Sequence, residues 1–287
     1  MKNILLHGLP VGNDHRVYIA EIINRLQEEK CSIFLSRSIA RRNPFLADQF
    51  QQQHEASDNT DFVLSLGGDG TFLESLLLVG PLETPILGIN IGRLGFLASI
   101  SKEQIKQSLD LLFDGKFEIN KRSLLEIKTN LSLFEGKCYA LNECAILRKD
   151  TSSMIITHCY INDEFLNTYW ADGLMVSTPT GSTGYSLSCG GPLMMPDSKD
   201  FVITPVSPHN LNVRPLIISD DSQIRFAVES RDTGYLVSLD SRSETVDTSE
   251  EIIIRKAAFK ANVVLVQGNS YSKTIRNKLG WGFDRRN

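Results

Sequence analysis

The stretch that most constrains the fold is residues 62–79, FVLSLGGDGTFLESLLLV, where an apolar run, a glycine turn and a second apolar run follow without interruption. Residues 62–66 predict a buried strand. Thr71 and Glu74 have the T-x-x-E spacing of a capping box, which predicts a helix from Thr71 to about Val79. A strand that turns directly into a helix is typical of a parallel sheet, so we expect an α/β fold here.

The rest of the first 120 residues repeats this alternation. Strand-like runs at 4–6, 32–35 and 85–91 alternate with helical spacing that begins near Asp14 and again at Ser101, where Gln104 completes a second capping-box pattern. We therefore predict an α/β N-terminal domain over residues 1–120, built on a doubly wound, Rossmann-like parallel sheet.

The pattern changes near residue 120. Short β-rich runs then follow one another, separated by turn residues such as Asn162 and Asp163. This spacing predicts an all-β C-terminal domain over residues 121–270. Residues 271–287 form a tail for which we expect a short helix that packs elsewhere.

Composition excludes several classes of protein. The chain has 287 residues and a net charge of -4, which favours neither nucleic-acid binding nor a basic membrane-binding surface. Its apolar runs are too short to cross a bilayer. The five cysteines are odd in number and scattered, which favours neither disulfides nor a zinc site. We expect reduced thiols and a cytoplasmic location.

The glycine turn is a candidate anion site. At the start of a helix, free backbone N–H groups and the helix dipole attract phosphate, and glycines let it approach the backbone. No Walker A or GxGxxG pattern is present. Asp69 would repel phosphate unless it accepts a proton from an attacking hydroxyl or helps to hold a divalent metal. The alternative is that Asp69 only caps the turn.

A second glycine-rich segment, residues 171–196, is crowded with Ser, Thr and Gly. Its many donors suit a polar ligand such as a nucleotide. The alternative is a flexible linker, but Pro179, Tyr185 and Leu187 make the segment stiff and partly apolar. Asp172, before the strand of this segment, and the pair Asn142–Glu143 are candidates for binding a ribose hydroxyl or an adenine amino group. The alternative for each is a polar residue at a strand end whose hydrogen bonds are made within the protein, and taken singly each residue favours this alternative.

Together these segments resemble the NAD kinase family. The matching stretches, in the order of the family, are LGGDGT (66–71), NIGRLGFL (90–97), LNECAI (141–146), ADGLMVSTPTGSTGYSLSCGGP (171–192) and SPHNLNVRP (207–215). Phosphofructokinases and diacylglycerol-type lipid kinases share GGDG, so the stretch 171–192 is the specific part.

The resemblance implies an α/β domain, a β domain with the nucleotide between them, and a C-terminal tail that packs back on the first domain. It implies transfer of a phosphoryl group from ATP to the 2′-hydroxyl of the adenosine ribose of NAD, which gives NADP. Phosphoryl transfer usually needs Mg²⁺, carried here with the nucleotide phosphates and without a dedicated protein ligand. The family also implies a homodimer or homotetramer.

The resemblance assigns roles to individual residues. Asp69 matches the proton acceptor, Gly70 lies beside it in the site, and Gly67 and Gly68 face phosphates. Asn142 and Glu143 match the pair that binds the dinucleotide, and Asp172 matches a carboxylate near the nicotinamide half. The loop on the adenosine side corresponds to Thr183, Gly184, Tyr185, Ser186, Leu187 and Ser188.

Two other functions compete with this interpretation. One is a lipid or sugar kinase that shares GGDG, against which the segment 171–192 argues. The other is a dinucleotide-binding sensor without catalysis, in which we would expect Asp69 or its glycines to be replaced. Arg242 departs from the family, where a glutamine-like residue is expected, and the sequence leaves its role open. The phosphoryl donor and the preference for NAD or NADH are also open.

Overall fold

The computed structural model describes residues 1–8, 16–92, 95–129, 131–149, 153–231, 233–268 and 270–282. The predicted helix start at Asp14, two residues of the stretch 90–97 and the last five residues of the tail lie outside this part. The chain divides into two compact units, one of residues 1–121 with the segment that begins at Ala261, the other Arg122–Lys260.

The first unit contains a parallel sheet with helices. Its strands are β1 (Asn3–Gly8), β2 (Ser32–Leu35), β3 (Gln51–Gln52), β4 (Phe62–Leu66), β5 (Ile86–Asn90) and β6 (Ile100–Ser101), and its helices are α1 (Arg16–Glu28), α2 (Arg37–Arg42), α3 (Pro44–Ala47), α4 (Asp69–Val79) and α5 (Ile105–Phe113). The strand order is β3-β2-β1-β4-β5, and every neighbouring pair is parallel. The predicted doubly wound α/β fold is confirmed.

Burial explains why these residues form these elements. Every residue of β4 and of β5 is buried, as expected for central strands of a parallel sheet. Helix α1 buries Ile19, Ile22, Ile23 and Leu26, which recur at helical spacing on one face. The capping box predicted at Ser101 and Gln104 is present.

The remaining elements are mostly strands. They are β7 (Phe117–Lys128), β8 (Tyr139–Ala140), β9 (Glu143–Leu147), β10 (Ile155–Ile161), β11 (Glu164–Ala171), β12 (Gly173–Ser177), β13 (Asp200–Val206), β14 (Leu216–Ser219), β15 (Ile224–Glu229), β16 (Gly234–Leu239), β17 (Arg242–Asp247) and β18 (Ile252–Val266), with helices α6 (Tyr185–Ser188) and α7 (Tyr271–Leu279). Helix α7 belongs to the first unit.

The second unit is built on antiparallel pairing. One sheet has the order β14-β13-β12-β9-β16-β17, and each neighbouring pair in it is antiparallel. Strands β9, β12 and β13 lie in its middle and are almost entirely buried. The predicted β-rich C-terminal fold is confirmed.

Three details of the strand and helix predictions were wrong. Helix α4 begins at Asp69, two residues before Thr71, and its N-cap is Gly68. The predicted capping box at Thr71 does not form because Thr71 lies within the helix, and Glu74 contacts His7. Strand β17 was missed because its sequence, RSETVD, buries only Val246. The β-rich runs 251–255 and 262–266, which we predict from the sequence as separate strands, belong to the single strand β18. Within the described residues, no helix has the length and apolar character to cross a membrane.

Candidate functional site

The glycine turn joins β4 to α4 at the carboxyl end of the parallel sheet, where α/β folds bind their ligands. Gly67 donates its N–H to the carbonyl of Ile89 at 2.9 Å. A Cβ atom on Gly67 would lie 2.3 Å from the hydroxyl oxygen of Thr71, so the turn requires glycine at this position. Gly68 is the N-cap, and its carbonyl accepts the first helical bond, from Phe72 at 3.1 Å.

The carboxylate of Asp69 is bound to a separate segment of the first unit. Its Oδ2 accepts the N–H of Phe96 at 2.8 Å, and its Oδ1 accepts those of Leu97 at 2.9 Å and Ala98 at 3.1 Å. A Cβ atom on Gly95 would lie 1.8 Å from Oδ1. Asp69 therefore organises residues 95–98 and does more than cap its own turn.

These bonds leave Asp69 able to accept one more proton donor. A carboxylate has about four acceptor positions, and the three N–H groups occupy two on Oδ1 and one on Oδ2. The position that remains is on Oδ2. An acidic side chain that already accepts three backbone donors is held in one orientation, which a general base needs.

The pair Asn142–Glu143 lies at the start of β9: Leu141 and Asn142 separate β8 from β9, and Glu143 is the first residue of β9. The carbonyl of Asn142 accepts the N–H of Thr178 at 2.9 Å. A Cβ atom on Gly181 would lie 2.0 Å from the same carbonyl oxygen. The loop after β12 can therefore approach the pair only because residue 181 is glycine.

Glu143 is a buried acid with an unused oxygen. The residue is 8% exposed, and its Oε2 has no hydrogen-bond partner among the described residues. Burial, and then the nearby Asp240, raise the pKa of Glu143 from its ordinary 4.5 to about 8. Near neutral pH this side chain is protonated, so it can donate a hydrogen bond to a ligand as well as accept one.

Replacement of Glu143 by glutamine should remove a pH-dependent loss of stability. Between pH 4.5 and about 8 the folded chain holds a proton on Glu143 that the unfolded chain releases. The contribution of Glu143 to the free energy of unfolding is therefore complete below pH 4.5 and falls as the pH rises to 8, by about 3–5 kcal/mol. Urea unfolding of wild type and Glu143→Gln at pH 5, 6.5 and 8 measures the difference.

The matched control for that experiment is Glu164→Gln, which makes the same chemical change at an exposed position at the start of β11. This variant should follow the wild-type pH dependence. A wild-type protein and a Glu143→Gln variant with parallel pH dependence would show that Glu143 is ionised in the folded chain at neutral pH.

Some side chains of the loop after β12 are buried in the protein, and others are exposed. Ser182 donates its hydroxyl to the carbonyl of Pro179 at 2.7 Å, and the hydroxyls of Ser186 and Thr204 lie 2.8 Å apart. Ser182 and Ser186 are fully buried, so these two hydroxyls hold the loop together. On the short helix α6, Tyr185 and Ser188 are exposed.

The structure brings some of the predicted site residues together within the second unit. A Cβ atom on Gly184 would lie 3.3 Å from Oε2 of Glu143 and 3.9 Å from the side-chain nitrogen of Asn142. Thr183, which precedes it, donates its hydroxyl to the carbonyl of Thr180 at 3.1 Å. The start of the predicted adenosine-side loop is thus adjacent to the Asn142–Glu143 pair.

Asp172 lies at the other end of β12. It precedes the first residue of the strand, whereas Thr178 follows the last, which places the two about 20 Å apart along the strand. Its Oδ1 lies 3.2 Å from a guanidinium nitrogen of Arg148. Both residues line a cavity of about 550 Å³, together with Trp170 and His209. A ligand that contacts both Asp172 and Glu143 must therefore be elongated.

Arg242, whose role the sequence left open, binds the protein backbone. Its two terminal nitrogens donate to the carbonyls of Lys137 and Tyr139, each at 2.6 Å. The guanidinium also lies 5.2 Å from the centroid of the Phe134 ring. Arg242 thus supports the segment that leads into β8 and the Asn142–Glu143 pair.

Sequence reasoning missed Asp240. The carboxylate of Asp240 accepts the N–H groups of Leu141, Asn142 and Glu143. In the first unit, His7 is buried and contacts Ser36 at 3.0 Å and Glu74 at 3.3 Å. Its proximity lowers the pKa of the Glu74 carboxyl. No group of three or more His, Cys, Asp or Glu side chains in the described ranges could hold a metal ion.

Each of the two units matches a known family of protein domains. The family model of the ATP-NAD kinase N-terminal domain matches residues 18–117, and that of the ATP-NAD kinase C-terminal domain matches residues 141–266. Together the two matches cover most of the chain and include the glycine turn, the Asn142–Glu143 pair and the loop after β12.

Individual relatives agree. The chain is 44% identical to an NAD kinase of Cytophaga hutchinsonii over 98% of this chain and 99% of that protein. It is 46% identical to an NAD kinase of Flavobacterium psychrophilum over 99% of each. This chain belongs to the NAD kinase family, as its motifs predicted.

Solved structures share the fold. The crystal structure of yeast NADH kinase complexed with NADH has a TM-score of 0.86 and 24% identity, and covers 99% of this chain and 89% of that chain. The crystal structure of an NAD kinase from Archaeoglobus fulgidus in complex with ATP has a TM-score of 0.73 and 25% identity over 98% of each chain. The fold extends over both units in both comparisons.

Proposed function

We propose that this chain transfers the γ-phosphoryl group of ATP to the 2′-hydroxyl of the adenosine ribose of NAD, forming NADP. The observation that carries the proposal is near-full-length identity of 44–46% to NAD kinases in a chain that keeps the whole glycine turn around Asp69. An intact turn favours an enzyme over a sensor that only binds the dinucleotide.

The chemistry follows from the remaining acceptor position on Asp69. The 2′-hydroxyl of the ribose donates its proton to Oδ2 while its oxygen attacks the γ-phosphorus. The new bond joins that oxygen to phosphorus, the bond to the β–γ bridging oxygen breaks, and ADP leaves. The phosphates are bound at the start of α4, where backbone N–H groups and the positive end of the helix dipole attract them. The glycines Gly67, Gly68 and Gly70 allow the phosphates to approach the backbone closely.

The dinucleotide is bound by the residues of the second unit. Asn142 and Glu143 supply an amide and a protonated acid for its polar groups, since Glu143 has an oxygen without a partner in the described residues. The residues Thr183, Gly184, Tyr185, Ser186, Leu187 and Ser188 form the wall on the adenosine side. Within that wall, the exposed ring of Tyr185 can contact a base, whereas Ser186 acts by holding the loop. Asp172 serves the nicotinamide half.

A divalent cation would arrive with the nucleotide, held by the substrate phosphates and without a dedicated protein ligand, since the remaining acceptor position of Asp69 is assigned to the ribose hydroxyl. A bound Mg²⁺ ion would neutralise charge on the phosphates. We further propose a cytoplasmic homodimer or homotetramer. We also propose that the chain consists of an α/β domain over residues 1–120, a β domain over residues 121–270 and a tail over residues 271–287.

A panel of donors and acceptors tests the proposed reaction. The purified protein is incubated with Mg²⁺ and either ATP, another nucleoside triphosphate or polyphosphate, and with NAD, NADH, a diacylglycerol or a sugar phosphate as acceptor. We expect phosphorylated product with NAD. Product only with diacylglycerol or sugar phosphate would replace the proposal by the lipid or sugar kinase alternative, and binding of NAD without product would favour the sensor.

A further inference from the structure

The turn of the β16–β17 hairpin lies against the Asn142–Glu143 pair. Only Asp240 and Ser241 separate the two strands, and Asp240 has a φ of +54°, in the left-handed region that aspartate tolerates better than most residues. Its Oδ2 accepts the N–H of Leu141 at 2.9 Å, and its Oδ1 accepts those of Asn142 at 2.7 Å and Glu143 at 3.2 Å. One side chain thus binds three consecutive backbone donors.

Further bonds connect the same hairpin to the same segment. Asp240 donates its own N–H to the carbonyl of Glu143 at 3.1 Å. Arg242, at the start of β17, donates to the carbonyls of Lys137 and Tyr139 at 2.6 Å each. The hairpin therefore anchors the chain both before and within the Asn142–Glu143 pair.

The segment needs such an anchor because it is a break in strand pairing. Leu141 and Asn142 lie between the end of β8 and the start of β9, and buried backbone N–H groups require acceptors. The carboxyl group of Asp240 supplies them with both of its oxygens. Burial raises the pKa of Asp240, and the three N–H donors oppose that shift.

The requirements of the hairpin turn alone do not explain why residue 240 is an acid. Asparagine would suit a left-handed position equally well and would not add an acid beside Glu143, which is itself buried. The neighbouring acid is unfavourable, because its charge adds to the burial that raises the pKa of Glu143. Acceptance of three backbone N–H groups by two oxygens explains why an acid occupies the turn, because asparagine has only one side-chain oxygen.

We propose that Asp240 is a positioning residue for dinucleotide binding, which acts by holding the backbone of Asn142 and Glu143 in place. The inference rests on the proposed function, in which this pair binds NAD. It extends the functional site to a hairpin turn about 100 residues further along the chain.

The test is Asp240→Asn, with NAD affinity measured by calorimetry and KM measured for both substrates. Asparagine keeps one acceptor and places an NH₂ group against a backbone N–H. We expect the dissociation constant and the KM for NAD to rise about ten- to a hundredfold, since an unsatisfied donor displaces the pair. The KM for ATP should stay within about twofold, a split that general loss of stability does not produce.

The matched control is Asp247→Asn, the same change at the exposed far end of β17, where the carboxylate accepts the N–H of Ser249. This variant should bind NAD like wild type. A folded Asp240→Asn variant with wild-type affinity for NAD would overturn the proposal, and so would a parallel rise in the KM values for NAD and ATP.

A second variant decides the matter if Asp240→Asn does not fold. Arg242→Met removes both bonds to the carbonyls of Lys137 and Tyr139 but keeps the carboxylate of Asp240. We expect a smaller rise in the dissociation constant for NAD, about three- to tenfold, and an unchanged affinity would overturn the proposal. Wild-type protein that neither binds nor phosphorylates NAD would instead contradict the proposed function, before any variant is compared.

Discussion

Asp69→Asn should lower kcat for NADP formation by about a thousandfold while NAD binding changes less than tenfold. The variant keeps an oxygen for the N–H groups of Leu97 and Ala98, which now bind Oδ1. Its NH₂ group replaces Oδ2, so the position that would take the proton from the ribose hydroxyl becomes a donor. Loss of a general base typically costs 10²- to 10⁴-fold in rate. Steady-state kinetics with NAD and ATP varied separately measure both effects.

Near-normal turnover of Asp69→Asn would show that the carboxylate is not needed as a base in the reaction. A large loss alone does not separate the base from the support that Asp69 gives to residues 96–98, because the NH₂ group also opposes the N–H of Phe96. A variant that moves the carboxylate without changing it is therefore needed.

Gly95→Ala provides that variant and should lower kcat by about a hundredfold with Asp69 chemically intact. A methyl group at residue 95 would lie 1.8 Å from Oδ1 of Asp69, so the carboxylate or the segment must move. Displacement by about 1 Å can cost a hundredfold in rate even when no reacting group is removed. The overpacking should also lower the free energy of unfolding by about 1–3 kcal/mol. Kinetics and urea unfolding of the same preparation measure the two effects.

Gly92→Ala is the control for added volume in the same segment. A methyl group there meets nothing closer than the side-chain oxygen of Asn90 at 3.9 Å, an ordinary contact. Its kcat should stay near that of wild type. If Gly95→Ala were as active as Gly92→Ala, the contact between Asp69 and residues 95–98 would have no part in placing the carboxylate.

The alternation of strands and helices was predictable because local patterns determine it. The strand at 62–66, the glycine turn and the capping box at Ser101 depend on neighbours a few residues apart. Helix α4 begins earlier than predicted because Gly68 is its N-cap, and Glu74, which was expected to cap Thr71, contacts His7, which is distant in sequence. Strand β17 escaped prediction because an edge strand that buries only Val246 has almost no apolar pattern.

The candidate site was also only partly predictable from the sequence. Asp69 stands out in the sequence because it would repel phosphate at a glycine turn that otherwise suits an anion, and Asn142 and Glu143 stand out because they are polar residues in an apolar, strand-like run. The groups that hold them are backbone N–H donors at 96–98 and the carboxylate of Asp240, and none of these forms a local pattern. Only the folded chain brings Asp240 to Asn142.

Formation of NADP by this chain can be measured directly. The most direct measurement incubates wild-type protein with NAD, ATP and Mg²⁺, and detects the product with a dehydrogenase that accepts only NADP, while ADP is measured in the same sample. We expect wild type to form NADP and ADP in equal amounts, and Asp69→Asn to form both about a thousandfold more slowly. ADP release without NADP, or no reaction by protein that binds NAD, would contradict the proposed function.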